Sequence, residues 1–311
     1  MVLAAAILHR RAVRVTGPVP VLVNRSGGTA ASKGDKLGDE IEAAFAAAGV
    51  AIDLQLVEGD ALAGAAKAVA GQPLVVVGGG DGTLGRLAGI LAERGSTLGI
   101  LPLGTRNHLA RELGVPLDLP GAAALIAAGT VRAIDLARVN GEPFINNASI
   151  GLYPRLVRER EQRNTPKWIA AIPASFAALS RIRHHRLHLA LPGRGRDGDI
   201  VTPMLFVGNN HYTLDAGQIG KRDALDGGLL SIYAVAARRR IALVGFAIRT
   251  LFGRARRDSD FAAIGDTPEF EVRGRSADID IALDGEVMTL KMPLRFECQA
   301  GALKVLAPPG P

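Results

Sequence analysis

Val75-Val76-Val77-Gly78-Gly79-Gly80-Asp81-Gly82-Thr83-Leu84 reads as a buried strand that runs into glycines and then into a helix. Three successive valines need apolar cover on both faces, as in a parallel sheet with helices on each side. At such a junction the helix N-terminus presents unpaired backbone N–H groups, and glycines let an anion come close to them. The segment is therefore a candidate phosphate-binding loop. No G-x-x-x-x-G-K-[ST] run occurs in the chain, so it is not a Walker-type loop. Gly80–Gly85 does fit G-x-G-x-x-G, but a dinucleotide site of that kind carries an acidic residue about 20 positions further on. There the chain reads Leu103-Gly104-Thr105-Arg106-Asn107, without a carboxylate. A plain Asp-Gly turn is the alternative, and the cluster of glycines, Asp and Thr at a strand mouth stands against it.

Outward from this segment the same alternation repeats. Pro20–Asn24 is strand-like and ends in the polar loop Asn24-Arg25-Ser26-Gly27-Gly28, before a helical stretch Leu37–Ala48. Strand-like Ile52–Val57, helical Ala61–Ala70, strand Leu74–Val77, helix Leu84–Arg94 and strand Thr97–Leu101 follow. Strands alternating with helices imply an α/β domain with a parallel sheet. A second strand-to-loop junction, Gly99–Asn107, would open on the same side as the first. Beyond Asp135 the texture changes to alternating segments with Gly, Asp and Pro turns: Val201–Val207, Leu229–Ala236, Glu269–Arg273, Ile279–Leu283 and Leu294–Cys298. That half reads as antiparallel β, interrupted by two helical stretches, Pro166–Arg183 and Arg239–Arg257. The expected division is residues 1–135, rejoined by 296–311, and residues 136–295.

The chain has 311 residues, 48% hydrophobic and 22% charged, enough for two cores and too apolar for disorder. The single cysteine, Cys298, can form neither an internal disulfide nor a cysteine metal site, which fits a reducing cytoplasm. The apolar start Met1–Leu8 precedes its basic stretch, the reverse of a secretory signal. Trp168–Leu179 is too short to span a bilayer. A formal charge of +7 favours polyanionic partners: nucleic acid, an anionic membrane surface or phosphorylated small molecules.

Gly79-Gly80-Asp81-Gly82-Thr83, followed by Leu103-Gly104-Thr105-x-Asn107-x-x-Ala110, resembles the catalytic domain of the diacylglycerol-kinase and sphingosine-kinase family. Asn24-x-x-Ser26-Gly27, Ile134-Asp135-Leu136, Asn146-x-x-Ser149-x-Gly151, Asp223-x-x-Asp226-Gly227-x-Leu229 and Asp284-Gly285-Glu286 resemble its other motifs, in the family's order. The resemblance implies a Rossmann-like parallel-sheet domain that binds ATP at Asn24, Ser26, Gly27, Gly79, Gly80, Asp81, Gly82, Thr83, Thr105 and Asn107. It implies a C-terminal antiparallel β-sandwich for the lipid, and transfer of the γ-phosphoryl group to a lipid hydroxyl such as that of diacylglycerol. A structural magnesium site is implied at Asp223, Asp226 and a carbonyl near Gly228, and the general base at Asp284 or Glu286. Asp284 is slightly favoured because it is shorter and nearer the turn. Without the family pattern, Asp284-Gly285 reads as a hairpin turn, and Asp223 and Asp226 as solvated loop carboxylates.

Some positions depart from the family pattern. The usual Gly-Thr-x-Asn-Asp becomes Gly104-Thr105-Arg106-Asn107-His108, which places an imidazole where a carboxylate could organise metal. Val57 precedes Glu58 where Thr is usual, and Gly85 replaces a frequent Asn. His184, His185 and His188 read as part of a strand rather than a metal cluster. Ser149 lacks the first glycine of a nucleophile elbow. The run Arg155–Lys167, with Arg155, Arg158, Arg160, Arg163 and Lys167 beside Trp168, could lie on anionic lipid or be a solvated helix face. The reading is thus an ATP-dependent lipid kinase in the cytoplasm, peripheral at the inner membrane face, with no nucleic-acid partner and with a homodimer left open. Its rivals are a soluble-substrate kinase such as an NAD kinase, and a nucleotide or lipid sensor without catalysis.

Overall fold

The structure is a computed structural model that describes residues 17–26, 34, 36–59, 61–151, 184–192, 197–215, 218–222, 224–235 and 261–309. Two compact units are formed, residues 1–134 with 303–311, and residues 135–302.

The first unit alternates β1 (Val19–Asn24), α1 (Lys36–Ala47), β2 (Ile52–Val57), α2 (Leu62–Val69), β3 (Leu74–Gly79), α3 (Asp81–Glu93) and β4 (Thr97–Pro102), then α4 (His108–Leu113) and α5 (Leu119–Ala128). The four strands pair in the order β2-β1-β3-β4, all parallel. Lys304 and Val305, near the end of the chain, pair in parallel with Thr97 and Leu98 beyond β4. Every residue of β3 and β4 is buried, because helices cover both faces and leave no position for a polar side chain. α1 buries Leu37, Ile41, Ala44 and Phe45, and α3 buries Leu84, Leu87, Ala88 and Leu91, each set spaced to form one helical stripe. From β1 the chain moves to β2 on one side, while β3 and β4 lie on the other. The carboxyl ends of β1 and β3 therefore flank a topological switch point, the place where open α/β sheets bind ligands.

The second unit is antiparallel β. Its strands are β5 (Thr130–Val139, of which residues from 135 belong here), β6 (Glu142–Phe144), β7 (Asn147–Gly151), β8 (His185–Ala190), β9 (Gly198–Thr202), β10 (Met204–Asn209), β11 (Tyr212–Asp215) and β12 (Gln218–Arg222). β13 (Leu230–Val235), β14 (Phe261–Thr267), β15 (Glu269–Gly274), β16 (Asp278–Leu283), β17 (Glu286–Lys291) and β18 (Leu294–Ala307, leaving this unit after residue 302) follow. One sheet has the order β14-β13-β10-β7-β16-β17. Facing it, β18, β15, β8 and β9 pair in turn. Between the two lies one apolar core that includes Phe144, Ile150, Leu189, Val207, Ile232, Phe270, Ile281 and Phe296. Phe270 stacks on Phe296 with ring centroids 4.7 Å apart, and Phe144 meets Phe296 edge-on at 6.4 Å. The C-terminal domain is thus a β-sandwich.

The single strand expected over Val201–Val207 is two, because Pro203 lacks an N–H and breaks the run between β9 and β10. The helical stretches expected at Pro166–Arg183 and Arg239–Arg257 lie outside the described residues, as does the basic run Arg155–Lys167 with Trp168. No helix among the described residues is long and apolar enough to cross a membrane.

Candidate functional site

At the switch point the end of β3 meets α3 with no side chain capping the helix. The first intrahelical bond runs from Leu84 N to Gly80 O at 3.0 Å, so the amides of Asp81, Gly82 and Thr83 have no acceptor within the helix. Across the switch, Asn24 at the end of β1 donates from Nδ2 to Thr83 Oγ1 at 3.0 Å, and its Oδ1 accepts from Ser26 N at 3.0 Å. Ser26 is exposed, and Gly27 lies outside the described residues. The two candidate loops touch backbone to backbone. A Cβ on Gly104 would fall 2.4 Å from Gly80 Cα, and one on Gly79 would fall 2.7 Å from Thr83 Cβ. Only glycine permits this approach, and it brings Gly79–Thr83 and Gly104–Asn107 together.

Two residues expected to face nucleotide also hold these loops. Asp81 Oδ2 accepts from His108 N and Oδ1 from Leu109 N, both at 3.0 Å, so its carboxylate caps α4 from another element. Asn107, which precedes that helix, has φ 51° and is 6% exposed. Its Oδ1 accepts from Gly104 N at 2.9 Å, while Nδ2 donates to Gly104 O at 2.8 Å and Pro102 O at 3.2 Å. Thr105, Arg106 and His108 are exposed at the same loop. The Asp81 contact uses the His108 backbone amide, which any residue but proline supplies, so the imidazole in place of a carboxylate leaves the loop's architecture intact. Arg86 of α3 donates to Gly59 O at 2.8 Å and so tethers the loop after β2, a contact the motif reading missed.

In the sandwich, Asp284 and Gly285 form a two-residue turn between β16 and β17, with Leu283 paired to Glu286. Their φ values of 48° and 94° are both left-handed, the mark of a type I′ hairpin. The turn is more than a turn. Asp284 Oδ2 accepts from Ile145 N at 2.8 Å, and Oδ1 accepts from Asn146 N at 2.7 Å and Asn147 N at 3.1 Å. A carboxylate with three backbone donors is a clamp on the Ile145–Asn147 strip. Glu286, next along the hairpin, is exposed.

Of the metal set, Asp223 lies outside the described residues and Asp226 is exposed. The loop that carries Asp226 is pinned from behind. Gly227 N donates to Asn210 Oδ1 at 2.8 Å and Gly228 N to Asp135 Oδ2 at 2.6 Å. Asp135, buried, also accepts from Asn210 Nδ2 at 3.0 Å and from Gly301 N at 2.8 Å. Burial pushes the Cys298 thiol up to about 12, with the Asp135 carboxylate adding to the effect. A hard oxygen such as that of Asp226 suits magnesium, yet one carboxylate is not a site. Among the described residues no group of three or more His, Cys, Asp and Glu could hold a metal ion. His188 pairs with Asp199 at 2.8 Å on neighbouring strands, as an exposed surface contact. Ser149 is 2% exposed, and its Oγ has no hydrogen-bond partner among the described residues.

Residues 18–139 match the model of the diacylglycerol kinase catalytic domain. A protein of Pseudomonas savastanoi pv. phaseolicola named "Probable lipid kinase YegS-like" is 35% identical over 261 residues, covering 82% of this chain and 81% of its own. A protein of the same name from Pseudomonas aeruginosa is 31% identical over 289 residues, covering 88% of this chain and 91% of its own. The fold is shared with a crystal structure of a diacylglycerol kinase from Bacillus anthracis str. Sterne, at TM-score 0.65 and 23% identity, covering 94% of this chain and 97% of that one. Identity above three residues in ten along most of both sequences joins the glycine-built switch point and the sandwich to a known family: the chain belongs to the diacylglycerol-kinase catalytic-domain family and is a kinase.

Proposed function

We propose that the protein transfers the γ-phosphoryl group of ATP to the hydroxyl of a lipid, diacylglycerol or a relative of it. The observation that carries this reading is the pair of glycine loops at the β1/β3 switch point, where the amides of residues 81–83 have no acceptor within the helix and Asn24 bridges to Thr83. Backbone N–H groups at a helix N-terminus offset the charge of a triphosphate, and the missing Cβ atoms let its oxygens reach them. The lipid acceptor rests on the names of the relatives, both named "Probable lipid kinase YegS-like".

In the transfer, the alcohol oxygen forms a bond to the γ-phosphorus as the bond from that phosphorus to the bridging oxygen breaks, and ADP leaves. The hydroxyl proton goes to a carboxylate. Asp284 is committed to three amides, so Glu286, exposed on the same hairpin, is the better base, and Asp284 is the brace that holds it. Asp223, Asp226 and a carbonyl near Gly228 would hold a structural magnesium ion, whose charge would stiffen their loop. The protein acts at an anionic membrane surface on the cytoplasmic side, with Arg155–Lys167 as the contact.

Incubation with γ-labelled ATP, magnesium and a mixed lipid extract in micelles, beside NAD in a parallel reaction, tests this reading. Label is expected in a lipid. Label in NAD would make the chain a soluble-substrate kinase, and ATP binding without turnover on any lipid would make it a sensor.

A further inference from the structure

Arg222 ends β12 and is 5% exposed. A guanidinium so buried needs acceptors placed to match its fork. Nη1 donates to Ile145 O at 2.7 Å and to Asn209 O at 3.3 Å, and Nη2 donates to Asn146 Oδ1 at 2.9 Å. Tyr212, whose ring centroid lies 5.9 Å from the guanidinium carbon, donates its hydroxyl to Asn146 O at 2.9 Å. All of these acceptors but Asn209 O belong to the Ile145–Asn147 strip, whose amides Asp284 holds.

One peptide unit is shared outright. Its carbonyl, from Ile145, accepts from Arg222, and its N–H, from Asn146, donates to Asp284, with 2.7 Å at each end. The negative end of the peptide dipole rests on a cation and the positive end on an anion, so each hydrogen bond polarises and strengthens the other. Arg222 and Asp284 are in effect an ion pair with a peptide bond between them. Tyr212 and the amide of Asn209, 2.9 Å from Asn146 O, repeat the arrangement one peptide on, where Asn147 N meets the same carboxylate.

We infer that Arg222 is a positioning residue for the Asp284–Glu286 hairpin, acting through the Ile145–Asn146 peptide rather than by touching substrate. Its effect on turnover rests on the kinase reading above; its grip on the hairpin does not. Without the guanidinium the peptide loses its cation, Asp284 holds a looser strip, and the Glu286 carboxylate spreads over more positions.

Amide hydrogen exchange and kinetics on the full chain test this together. Arg222→Lys keeps the charge and loses the fork, Arg222→Gln loses both, and Tyr212→Phe removes one hydroxyl. Arg222→Lys should speed exchange at residues 145–147 and 283–287 by at least about tenfold, as expected when a local opening becomes easier. It should lower kcat by about 10- to 100-fold, the scale of a small misplacement of a catalytic group, with KM for ATP unchanged. Arg222→Gln combined with Asp284→Asn should slow turnover by much less than the product of the single effects, because both act on one peptide. If Arg222→Gln does not fold, Arg222→Lys and Tyr212→Phe carry the comparison. Parent-like exchange over 283–287 in both overturns the linkage, and faster exchange with a parent-like kcat overturns the positioning role. If the parent phosphorylates no lipid, the kinase reading fails while the exchange data still decide the linkage.

Discussion

Asparagine at 284 would present one oxygen and an NH₂ group to three backbone donors, so at least one amide of Ile145, Asn146 or Asn147 would face another donor. Leaving such a group unsatisfied costs about 1–3 kcal/mol. Asp284→Asn is therefore expected to lower the unfolding free energy measured in urea by that amount, although Asn suits the left-handed turn conformation itself. Glu286→Gln touches an exposed side chain and should leave the unfolding free energy within about 0.5 kcal/mol of the parent. The rate of phosphate transfer should instead fall by about 10² to 10⁴, with ATP still bound. A parent-like rate for Glu286→Gln would take the base out of this hairpin. Cys298 offers a second test at this scale, through its proton. Its thiol is raised from 9.0 to about 12 in the folded chain, so above pH 9 the unfolded chain loses a proton that the native one keeps. Stability then falls as pH rises. The contribution is complete below about pH 9 and is lost towards pH 12. A disulfide reagent at pH 8 should label Cys298 only in urea, and Cys298→Ser should flatten the alkaline limb of a stability–pH curve. Rapid labelling of the native protein would contradict both.

At the level of loops and strands, Gly104→Ala discriminates a built cradle from a flexible turn. The added Cβ would meet Gly80 Cα, which is backbone and cannot swing aside, so the loops must separate. Overpacking of this kind costs about 1–3 kcal/mol, and the displaced loop should lower turnover by about 10². An active, parent-stable Gly104→Ala would mean the loops are not held together for catalysis. Asp81→Ala should combine a cap loss of about 0.5–2 kcal/mol with lost ATP affinity, since α4 and the 104–107 loop move with it. Calorimetry of ATP binding beside thermal melts separates the two effects, and a parent-like melt would return Asp81 to a purely ligand-facing role. Much of this was legible in the chain. β3 and β4 show because strands buried on both faces leave no polar position, and the glycines show because backbone contact admits nothing else. The partners of Asp81 and Asp284 do not show, being 27–28 and 137–139 residues away, beyond any local pattern. β18 was read only as far as Cys298, because Gln299-Ala300-Gly301 breaks the apolar alternation by which a strand is recognised while the backbone stays extended. Arg222 does not show, since a lone arginine before an aspartate carries no signal until its acceptors are in place.

For the molecule as a whole, the net charge poses a question that the site does not. A formal +7 attracts any anionic surface, so vesicle binding alone would say little about a dedicated contact. The proposed contact, Arg155–Lys167, lies outside the described residues, and charge placement tests it. Each basic side chain near an anionic leaflet contributes about 1 kcal/mol, and at physiological salt the field fades over about 8 Å. Reversing Arg158, Arg160 and Arg163 to Glu takes the formal charge from +7 to +1. Reversing the exposed Lys67, Arg94 and Arg186 to Glu does the same, with every change outside the proposed contact. If the run is the contact, the first triple variant should lose at least about 3 kcal/mol of vesicle affinity, roughly a hundredfold, and most of its salt dependence. The second should lose far less, because it leaves every basic residue of the run in place. Sedimentation with phosphatidylserine vesicles across a salt series measures both, with thermal melts to show that the variants fold. Equal losses would mean that net charge alone draws the protein to the membrane, and no loss in either would remove the anionic surface from its partners.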